Sequence, residues 1–507
     1  MKSFQKRKFF SFFITILSST SLFLGTFSTA YAQPSEKDAR VEANQQVAVE
    51  SNNIAGWPQG PTVSAKSAIL IEANTGTVLY AKNIHEKLYP ASITKILTAY
   101  IARQKSGLEE EVVYSSKAVN SINWLEDSNI GIKAGETLTM EQSLYSLLVG
   151  SANECGNAIG EHISGSMEAF VELMNQTASE IGCTDSHFVT TNGIHDEQHY
   201  TSAHDMALIA QHFFDDELLC KMSSQRSYTL PASSTLSQEL TATCKNQLLP
   251  ERKYEYQYLV GSKTGYTDIA RQNLVSCAEK DGLKLICVVM QDEAPMQYTD
   301  TIDLFNYGFS NFKAVNVSQN DTTYNVRSNN FFMTESDIFG DSNPILSIDE
   351  DAYIVLPADA AFEDLTSRLS YADLMEGQAA VVYYSFQDQS VGSAAILFSE
   401  HTSTFDFNAE PETSSESTAE SESERSDSDI VSAQAAKPVL NSKNIVFLNV
   451  KKILIGVGIL AAAAVLGVVI FSILKNRRLS RRRRAIMKRR RSKKNEIIDF
   501  DRYIDRP

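Results

Sequence analysis

One uncharged apolar run constrains the architecture of this chain more than any other feature. Ile453–Leu474 contains 22 residues without a charged side chain, and a helix of that length spans roughly the 30 Å hydrocarbon core of a bilayer. Lys451 and Lys452 precede the run, and Arg481–Arg484 follow it. Because more positive charge follows the run than precedes it, we predict a transmembrane helix at 453–474 and a basic cytoplasmic tail at 475–507. The chain is then a single-pass membrane protein whose larger part is extracellular.

The N-terminus has the pattern of a secretory signal peptide. Residues 1–32 carry four basic residues and no acidic one, with a charged cluster at Lys6–Lys8. The mostly apolar stretch Phe9–Phe27 follows, and Ala30-Tyr31-Ala32 provides the small-x-small cleavage pattern. We therefore predict a signal peptide at 1–32; the alternative is an uncleaved anchor.

Charge is strongly segregated along the chain. The formal net charge is −16, although residues 475–507 alone carry 15 basic and 4 acidic residues. The acidic central part excludes nucleic-acid binding through a general positive field. The arginines of the tail are interpreted as a topology determinant and a contact for anionic lipid. A membrane is therefore an expected partner and nucleic acid is not.

Polar segments separate the folded part from both ends. Fifteen of the 21 residues in Ala409–Asp429 are Ser, Glu or Asp. Such a stretch cannot bury enough apolar surface to fold, and its like charges extend it. We predict a disordered tether at 403–444 and a polar linker at 33–60.

The pattern of the remaining residues predicts two folded domains. The predicted elements are a hairpin at 67–82, helices between about 90 and 215, strands at 259–267, 272–279 and 283–290, and a helix at 299–309. This order predicts an α+β fold for 61–311, with one antiparallel sheet packed between helices. Short strands and turns over 312–402 predict a second, small all-β domain.

Six cysteines in an exported chain permit disulfides without requiring them. Asp281-Gly282 between two apolar runs predicts a two-residue hairpin turn. That register sets Cys277 opposite Ile286, so Cys277 and Cys287 point to opposite faces of the sheet. We therefore predict that these two do not pair, and leave the other cysteines open.

The most informative segment is Tyr89-Pro90-Ala91-Ser92-Ile93-Thr94-Lys95. Pro90 suits the first position of a helix, so Ser92 is predicted in the first turn, where free backbone N–H groups favour negative charge. Lys95 lies three residues further on, and its side chain is a neighbour of Ser92 on one helix face. A serine hydroxyl needs a base, and a buried lysine with a lowered pKa can serve as one. Alone, Ser-x-x-Lys occurs by chance in many chains, and a capping serine beside a surface lysine is its more common meaning.

Two further motifs change that interpretation. Ser151-Ala152-Asn153 follows an apolar helix and Gly150, which places polar groups on a turn between helices. Lys263-Thr264-Gly265 lies on the strand that begins at Leu259. Taken alone, the first motif is typical of a loop cap and the second of a lysine on an edge strand. The ordered set of Ser-x-x-Lys, Ser-x-Asn and Lys-Thr-Gly has a very low chance of occurring by accident.

At these residues the chain resembles the serine-type D-alanyl-D-alanine carboxypeptidases, the low-molecular-mass penicillin-binding proteins of the penicillin-recognising serine enzyme superfamily. The likeness covers roughly residues 60–400, and includes a catalytic domain followed by a β-rich domain. Further matching segments are Gly131–Glu136, Thr191-Asn192-Gly193, His199-Tyr200-Thr201, Asp205–Ile209 and Asn246–Leu249.

The resemblance implies a role for each motif residue. Ser92 would form an acyl-enzyme with Lys95 as its base, and Ser151 and Lys263 would relay protons to the leaving D-alanine. The resemblance also implies substrate contacts from Asn153, Lys263, Thr264, Gly265 and Tyr266, with the backbone N–H groups of Ser92 and Tyr266 as the oxyanion hole. It implies peptidoglycan stem peptides as substrate and β-lactams as acylating inhibitors, at a bacterial cell membrane, with no cofactor or metal.

One position departs from the family pattern. The family usually has an arginine just before the closing helix that binds the substrate's terminal carboxylate, and Tyr298 falls there in this chain. Lys263 and Thr264 remain, and Arg271 or Lys245 is expected to supply the missing cation. Arg271 is the first choice because it begins the strand after the Lys-Thr-Gly strand.

Two other groups of residues invite different chemistry. A group of histidines and aspartates suggests a metal site: His187, His195, His199, His204, Asp196 and Asp205. The turn at Asn192-Gly193 argues against it, because His195 and His199 then do not clearly share one helical face. Cys155 lies two residues from Asn153, but no basic partner is evident nearby, so a small buried residue is expected.

Hydrolysis of the terminal D-alanine of cell-wall pentapeptide is the expected reaction. A β-lactamase of the same fold is the nearest alternative, although the sequence between Asn153 and Lys263 offers no convincing glutamate base. A transpeptidase shares the acyl-enzyme and differs in what attacks it. A non-catalytic cell-wall scaffold would have no physical need for the set Ser92, Lys95, Ser151 and Lys263.

Overall fold

The computed structural model describes residues 35–324 and 346–398. The predicted signal peptide, tether, transmembrane helix at 453–474 and basic tail lie outside these ranges. Within the described ranges, no helix combines the length and the apolar character that crossing a membrane requires.

Fifteen strands are found in the described residues: β1 (Ser67–Glu72), β2 (Val78–Lys82), β3 (Glu111–Val113), β4 (Thr137–Thr139), β5 (Ser227–Leu230), β6 (Leu240–Thr243), β7 (Leu259–Thr267), β8 (Arg271–Lys280), β9 (Leu283–Asp292), β10 (Phe312–Asn316), β11 (Leu346–Ile348), β12 (Tyr353–Pro357), β13 (Thr366–Ser370), β14 (Gln378–Phe386) and β15 (Gln389–Phe398). The α-helices there are α1 (Glu36–Gln45), α2 (Lys95–Lys105), α3 (Ser116–Asn120), α4 (Met140–Val149), α5 (Asn153–Ser164), α6 (Met167–Ile181), α7 (Ala203–Phe214), α8 (Glu217–Ser223), α9 (Met296–Asn311) and α10 (Val317–Asn320). Short 3₁₀ turns cover Glu50–Asn53, Ala91–Thr94 and Phe362–Asp364.

A five-stranded antiparallel sheet of order β2-β1-β9-β8-β7 forms the centre of the protein. One face packs against α2, α4, α5 and α7 in a large apolar cluster that contains Ile96 and Leu147. The other face packs against α9, where Leu304 and Phe305 are fully buried. The antiparallel sheet between helices that the sequence predicts is therefore confirmed.

The β8–β9 hairpin has the predicted register. Cys277 pairs with Ile286, and Ser276 pairs with Cys287. Because side chains alternate along a strand, Cys277 enters the cluster under α2 and α4, whereas Cys287 enters the cluster under α9. No disulfide forms between them, and all six cysteines are free.

Strands that follow α9 form two further sheets. β10 pairs with β12, and β11, β15, β14 and β13 form a four-stranded sheet. Their apolar side chains, such as Val382 and Tyr384, belong to the same cluster as α9 rather than to a separate one. Tyr353 of β12 also donates its hydroxyl to Glu72 Oε1 of β1, at 2.9 Å. The β-rich region is thus packed directly on the central sheet and α9.

The N-terminal segment differs from the predicted polar linker. Residues 36–45 form α1, whose capping box joins the side chains of Ser35 and Asp38 to each other's backbone N–H groups. Trp57 is 3% exposed, packs on Phe312 and Phe386 with ring centroids 5.1 and 6.2 Å away, and donates its indole N–H to Leu79 O. The segment predicted as a polar linker thus contains a capped helix and one buried aromatic side chain within the described residues.

We expect Trp57→Ala to lower the free energy of unfolding by about 3–5 kcal/mol, because it removes a buried aromatic ring and leaves a cavity. Trp57→Phe should cost less, since it keeps a ring and loses mainly the hydrogen bond to Leu79, worth about 1 kcal/mol. Chemical denaturation followed by circular dichroism measures both. Equal losses for the two variants would show that the ring's packing contributes little.

Candidate active site

Ser92 lies on the 3₁₀ turn Ala91–Thr94, directly before α2. The turn is a tight 3₁₀ segment rather than the first α-helical turn that the sequence predicts. Ala91 has a φ of 50°, in the left-handed region that a non-glycine residue rarely adopts. The Ser92 side chain is half-buried, and its Oγ lies within hydrogen-bond distance of Lys95 Nζ.

Lys95 is the centre of the hydrogen-bond network around Ser92. Its Nζ lies 2.9 Å from Ser92 Oγ, 2.6 Å from Asn153 Oδ1 and 2.6 Å from the carbonyl oxygen of Asn192. The side chain is completely buried. Its amine therefore joins three segments that lie far apart in the sequence.

Burial makes Lys95 a potential base. The pKa of Lys95 is lowered well below its usual value, first because burial disfavours the charged ammonium and second because the positive charge of Lys263 lies nearby. The negative charge of Glu154 opposes this shift. A neutral lysine amine 2.9 Å from a serine hydroxyl can accept its proton.

Ser151 and Lys263 form a second serine–lysine pair. Lys263 Nζ, on β7, lies 2.9 Å from Ser151 Oγ and 2.9 Å from the carbonyl oxygen of Thr264. Ser151 has a φ of 56°, so the turn before α5 is also held in the left-handed region. Burial, together with repulsion from Lys245, lowers the pKa of Lys263 to about 8. The three sequence motifs are thus brought together at one place.

Gly265 lets β7 approach the nucleophile's turn. A Cβ atom at this position would lie 2.7 Å from the carbonyl oxygen of Pro90 and 3.1 Å from the backbone nitrogen of Ser92. A side chain there would push the strand away from the turn. The glycine of the Lys-Thr-Gly motif therefore lets β7 lie directly against the turn that carries Ser92.

Asn273 fastens the same turn from the neighbouring strand β8. Its Nδ2 donates to the carbonyl oxygens of Tyr89 and Pro90, both at 2.8 Å, and its Oδ1 accepts from the backbone N–H of Gln291 at 2.8 Å. The side chain is 1% exposed, so these bonds are shielded from water. Sequence reasoning missed this residue, because nothing in a strand pattern distinguishes it from another buried asparagine.

Glu154 is a second residue that the sequence analysis did not select. The fully buried carboxyl group accepts from the backbone N–H groups of Ile130 and Gly131 at 2.8 and 3.3 Å through Oε1. Oε2 has no hydrogen-bond partner among the described residues. Burial raises the pKa of Glu154. The group ties the 128–131 segment to α5, where Asn153 N also donates to Ser128 O at 2.9 Å.

His199 supports the nucleophile's turn instead of binding a metal. Its Nδ1 accepts from the backbone N–H groups of Val189 and Thr190, so Nε2 carries the proton and donates to Thr94 Oγ1 at 2.8 Å. Thr94 in turn donates to Ala91 O. Burial lowers the pKa of His199 to about 3, which keeps the ring neutral. No group of three metal-ligating side chains exists within the described ranges.

Cys155 is inert in this environment. It is fully buried on α5 and accepts a hydrogen bond from the Tyr114 hydroxyl at 3.3 Å. Burial raises the pKa of the Cys155 thiol well above its usual value, so a thiolate nucleophile is strongly disfavoured. The interpretation as a small core residue is confirmed.

Arg271 begins β8 at the rim of the site and forms a bidentate pair with Glu293. Its Nε and Nη2 lie 3.0 and 2.9 Å from the two carboxylate oxygens, and its guanidinium stands 5.9 Å from the ring centre of Tyr266. Arg40 of α1 binds the same carboxylate at 2.7 Å. Two cations therefore share one buried anion, and the carboxylate of Asp268 also acts on Arg271.

Tyr298 and Lys245 were also considered in connection with binding of the substrate's terminal carboxylate. Tyr298 is 8% exposed and stacks on Tyr254, so its ring belongs to the core under α9. Lys245 is exposed, and its charge acts on Lys263. Which cation binds a substrate carboxylate stays a prediction.

The sequence of this chain is similar to that of a known enzyme family. The family model described as D-alanyl-D-alanine carboxypeptidase matches residues 28–294. The carboxypeptidase DacF of Bacillus subtilis is 33% identical over 255 residues, which cover 49% of this chain and 63% of DacF. DacA of Escherichia coli K12 is 29% identical over 310 residues, which cover 59% of this chain and 72% of DacA.

Solved structures agree with the fold. Penicillin binding protein 5 from Haemophilus influenzae has a TM-score of 0.53 and 25% identity, covering 67% of this chain and 98% of its own. Penicillin binding protein 6B from Escherichia coli has a TM-score of 0.51 and 24% identity, covering 68% and 98%, and shows the same fold. The chain therefore belongs to the D-alanyl-D-alanine carboxypeptidase family of penicillin-recognising serine enzymes.

Proposed function

We propose that this protein removes the terminal D-alanine from peptidoglycan pentapeptide through an acyl-enzyme on Ser92. The observation that carries the proposal is the pair of serine–lysine contacts, Lys95 to Ser92 and Lys263 to Ser151, each 2.9 Å long and both within one site. Penicillin would acylate the same serine. The relatives named as D-alanyl-D-alanine carboxypeptidases support this choice of reaction.

Acylation begins with the neutral amine of Lys95. The amine takes the proton from Ser92 Oγ, and the oxygen attacks the carbonyl carbon between the last two D-alanines. The carbonyl oxygen becomes negative and is stabilised by the backbone N–H groups of Ser92 and Tyr266. When the C–N bond breaks, Ser151 and Lys263 deliver a proton to the nitrogen of the leaving D-alanine.

Deacylation uses the same groups in reverse. Lys95 takes a proton from a water molecule, whose oxygen attacks the ester carbon, and Ser92 Oγ leaves and recovers its proton. The shortened peptide carries the new carboxylate. A transpeptidase would replace this water by an amine, so the two functions differ only in the attacking group.

We further propose that the enzyme is anchored in a bacterial cell membrane with its catalytic part outside. The signal-like residues 1–32, the uncharged run 453–474 and the basic tail 475–507 support this arrangement. The acidic tether at 403–444 would hold the catalytic part away from the anionic lipid surface.

Ser92→Ala should abolish labelling by a fluorescent penicillin and release of D-alanine, because no other group at this position can form the ester. The melting temperature should change little, since Lys95 keeps its contacts with Asn153 and Asn192. The exposed Ser234→Ala is the matched control and should label normally. Undiminished labelling of the Ser92 variant would refute the assignment, and a labelled wild type that turns the drug over rapidly would indicate a β-lactamase.

The rate of acylation should have a bell-shaped pH dependence. The rate should rise as the pH passes the lowered pKa of Lys95, because only the neutral amine accepts a proton. It should fall near pH 8, because Lys263 has a pKa of about 8 and loses its positive charge there. Lys263→Arg should keep some activity and lose the alkaline limb, because arginine stays charged. Stopped-flow acylation by a chromogenic β-lactam measures both profiles. An unchanged alkaline limb in Lys263→Arg would exclude Lys263 as its origin.

Arg271→Ala should lower kcat/KM for a peptide ending in D-Ala-D-Ala by roughly 10- to 100-fold, since a charge-assisted contact contributes about 1.5–3 kcal/mol. Glu293 keeps its partner Arg40 in this variant, so the fold should survive. A peptide with an amidated terminus should be affected much less. Arg368→Ala is the matched control, because this arginine also stands over a tyrosine ring, 5.3 Å from the centre of Tyr383. Equal losses on both peptides, or none, would move attention to Lys245.

A further inference from the structure

A cavity of about 470 Å³ lies between the end of α3, Trp124 and residues 131–134. It opens to solvent, and its volume is within the range typical of small-molecule sites. The residues that matter for its chemistry are Val119, Asn120, Trp124, Ile132 and Lys133. None of them belongs to the three catalytic motifs.

The cavity combines a flat aromatic wall with polar groups at its edge. Trp124 is 38% exposed, whereas the chain's other tryptophan, Trp57, is 3% exposed. Asn120 and Lys133 are exposed, and Val119 and Ile132 are buried. An indole face packs well against the C–H face of a pyranose ring, while an amide and an amine can bind hydroxyl and acetamido groups at the ring's edge. This combination suits a sugar better than an apolar side chain, which would need an enclosed pocket.

The cavity is tied to the catalytic motifs through the backbone. Ser128 O accepts from Asn153 N, and Glu154 Oε1 accepts from the N–H groups that follow at Ile130 and Gly131. Trp124 is four residues from Ser128, so the two lie at most about 14 Å apart along the chain. An extended pentapeptide spans about 17 Å. The path from Trp124 through Ser128 and Asn153 to Lys95 and Ser92 is therefore comparable in length to a stem peptide, so a glycan whose peptide ends at Ser92 can reach Trp124.

We propose that this cavity is a subsite for the N-acetylated amino-sugar backbone of peptidoglycan. The indole of Trp124 stacks under a sugar ring, and the side chains of Asn120 and Lys133 hydrogen-bond its substituents. The inference rests on the proposed function, because it takes peptidoglycan as the substrate. It goes beyond that function by separating glycan recognition from acylation at Ser92.

The first experiment compares two substrates with the full-length protein in detergent. Trp124→Ala should lower the rate of D-alanine release from intact peptidoglycan by roughly 3- to 10-fold, as expected for one aromatic contact. Release from a short soluble peptide ending in D-Ala-D-Ala should change less than about twofold on the same scale. Tyr371→Ala is the matched control, since Tyr371 is an exposed aromatic that directly follows β13. A loss on both substrates, or on neither, would overturn the proposal.

The second experiment measures binding without catalysis. Peptide-free glycan strands should change the tryptophan fluorescence of the Ser92→Ala protein. Adding Asn120→Ala or Lys133→Ala to that protein keeps both tryptophans and should weaken the fluorescence change. A response that these two variants leave unchanged, or no response, would overturn the subsite. Failure of the carboxypeptidase assignment is seen separately, as a wild type that does not release D-alanine from the soluble peptide.

Discussion

The buried amine of Lys95 is the interaction on which the rest of the site depends. Taking a lysine out of water is costly, and the cost is tolerable only when the amine has good acceptors or loses its proton. Here the amine has both: two oxygen acceptors, from Asn153 and Asn192, and a lowered pKa that leaves its lone pair free for the Ser92 hydroxyl. The helices α2 and α5 and the loop around Asn192 must converge to provide those acceptors. The large apolar cluster on that face of the sheet holds the convergence in place.

The central sheet positions the turn that carries Ser92. Gly265 brings β7 against the turn that carries Ser92, and Asn273 bonds the same turn to β8. His199 and Thr94 brace the turn from the opposite side. A backbone with a left-handed residue at Ala91 is strained on its own, so several independent bonds are needed to keep one conformation. Rigid support of this kind is what positioned N–H groups require in order to stabilise developing charge.

The sequence was most informative where spacing is local. Ser92 and Lys95 are three residues apart, and a two-residue turn at Asp281-Gly282 determines the β8–β9 register, so both could be predicted from elementary geometry. The ordered motifs predicted that Ser151 and Lys263 lie in the same site as Ser92 and Lys95. In the structure, Ser151 and Lys263 lie within hydrogen-bond distance of each other. The bonds of Glu154, Asn273 and Glu293 could not be predicted, because each joins segments whose separation depends on tertiary packing. Trp57 was missed for a related reason: its partners Phe312 and Phe386 lie more than 250 residues away.

The burial of the cysteines has a consequence for oxidation chemistry. Thiol–disulfide exchange and peroxide attack both proceed through the thiolate, and burial raises the thiol pKa of five cysteines: Cys155, Cys183, Cys220, Cys277 and Cys287. In the folded protein these five cysteines therefore carry very little thiolate and react slowly with oxidants. The vulnerable period comes earlier, when Cys277 and Cys287, ten residues apart in the unfolded chain, are free to meet. Closure of the β8–β9 hairpin ends that period, because the pleat then holds the two sulfurs on opposite sides of a continuous sheet.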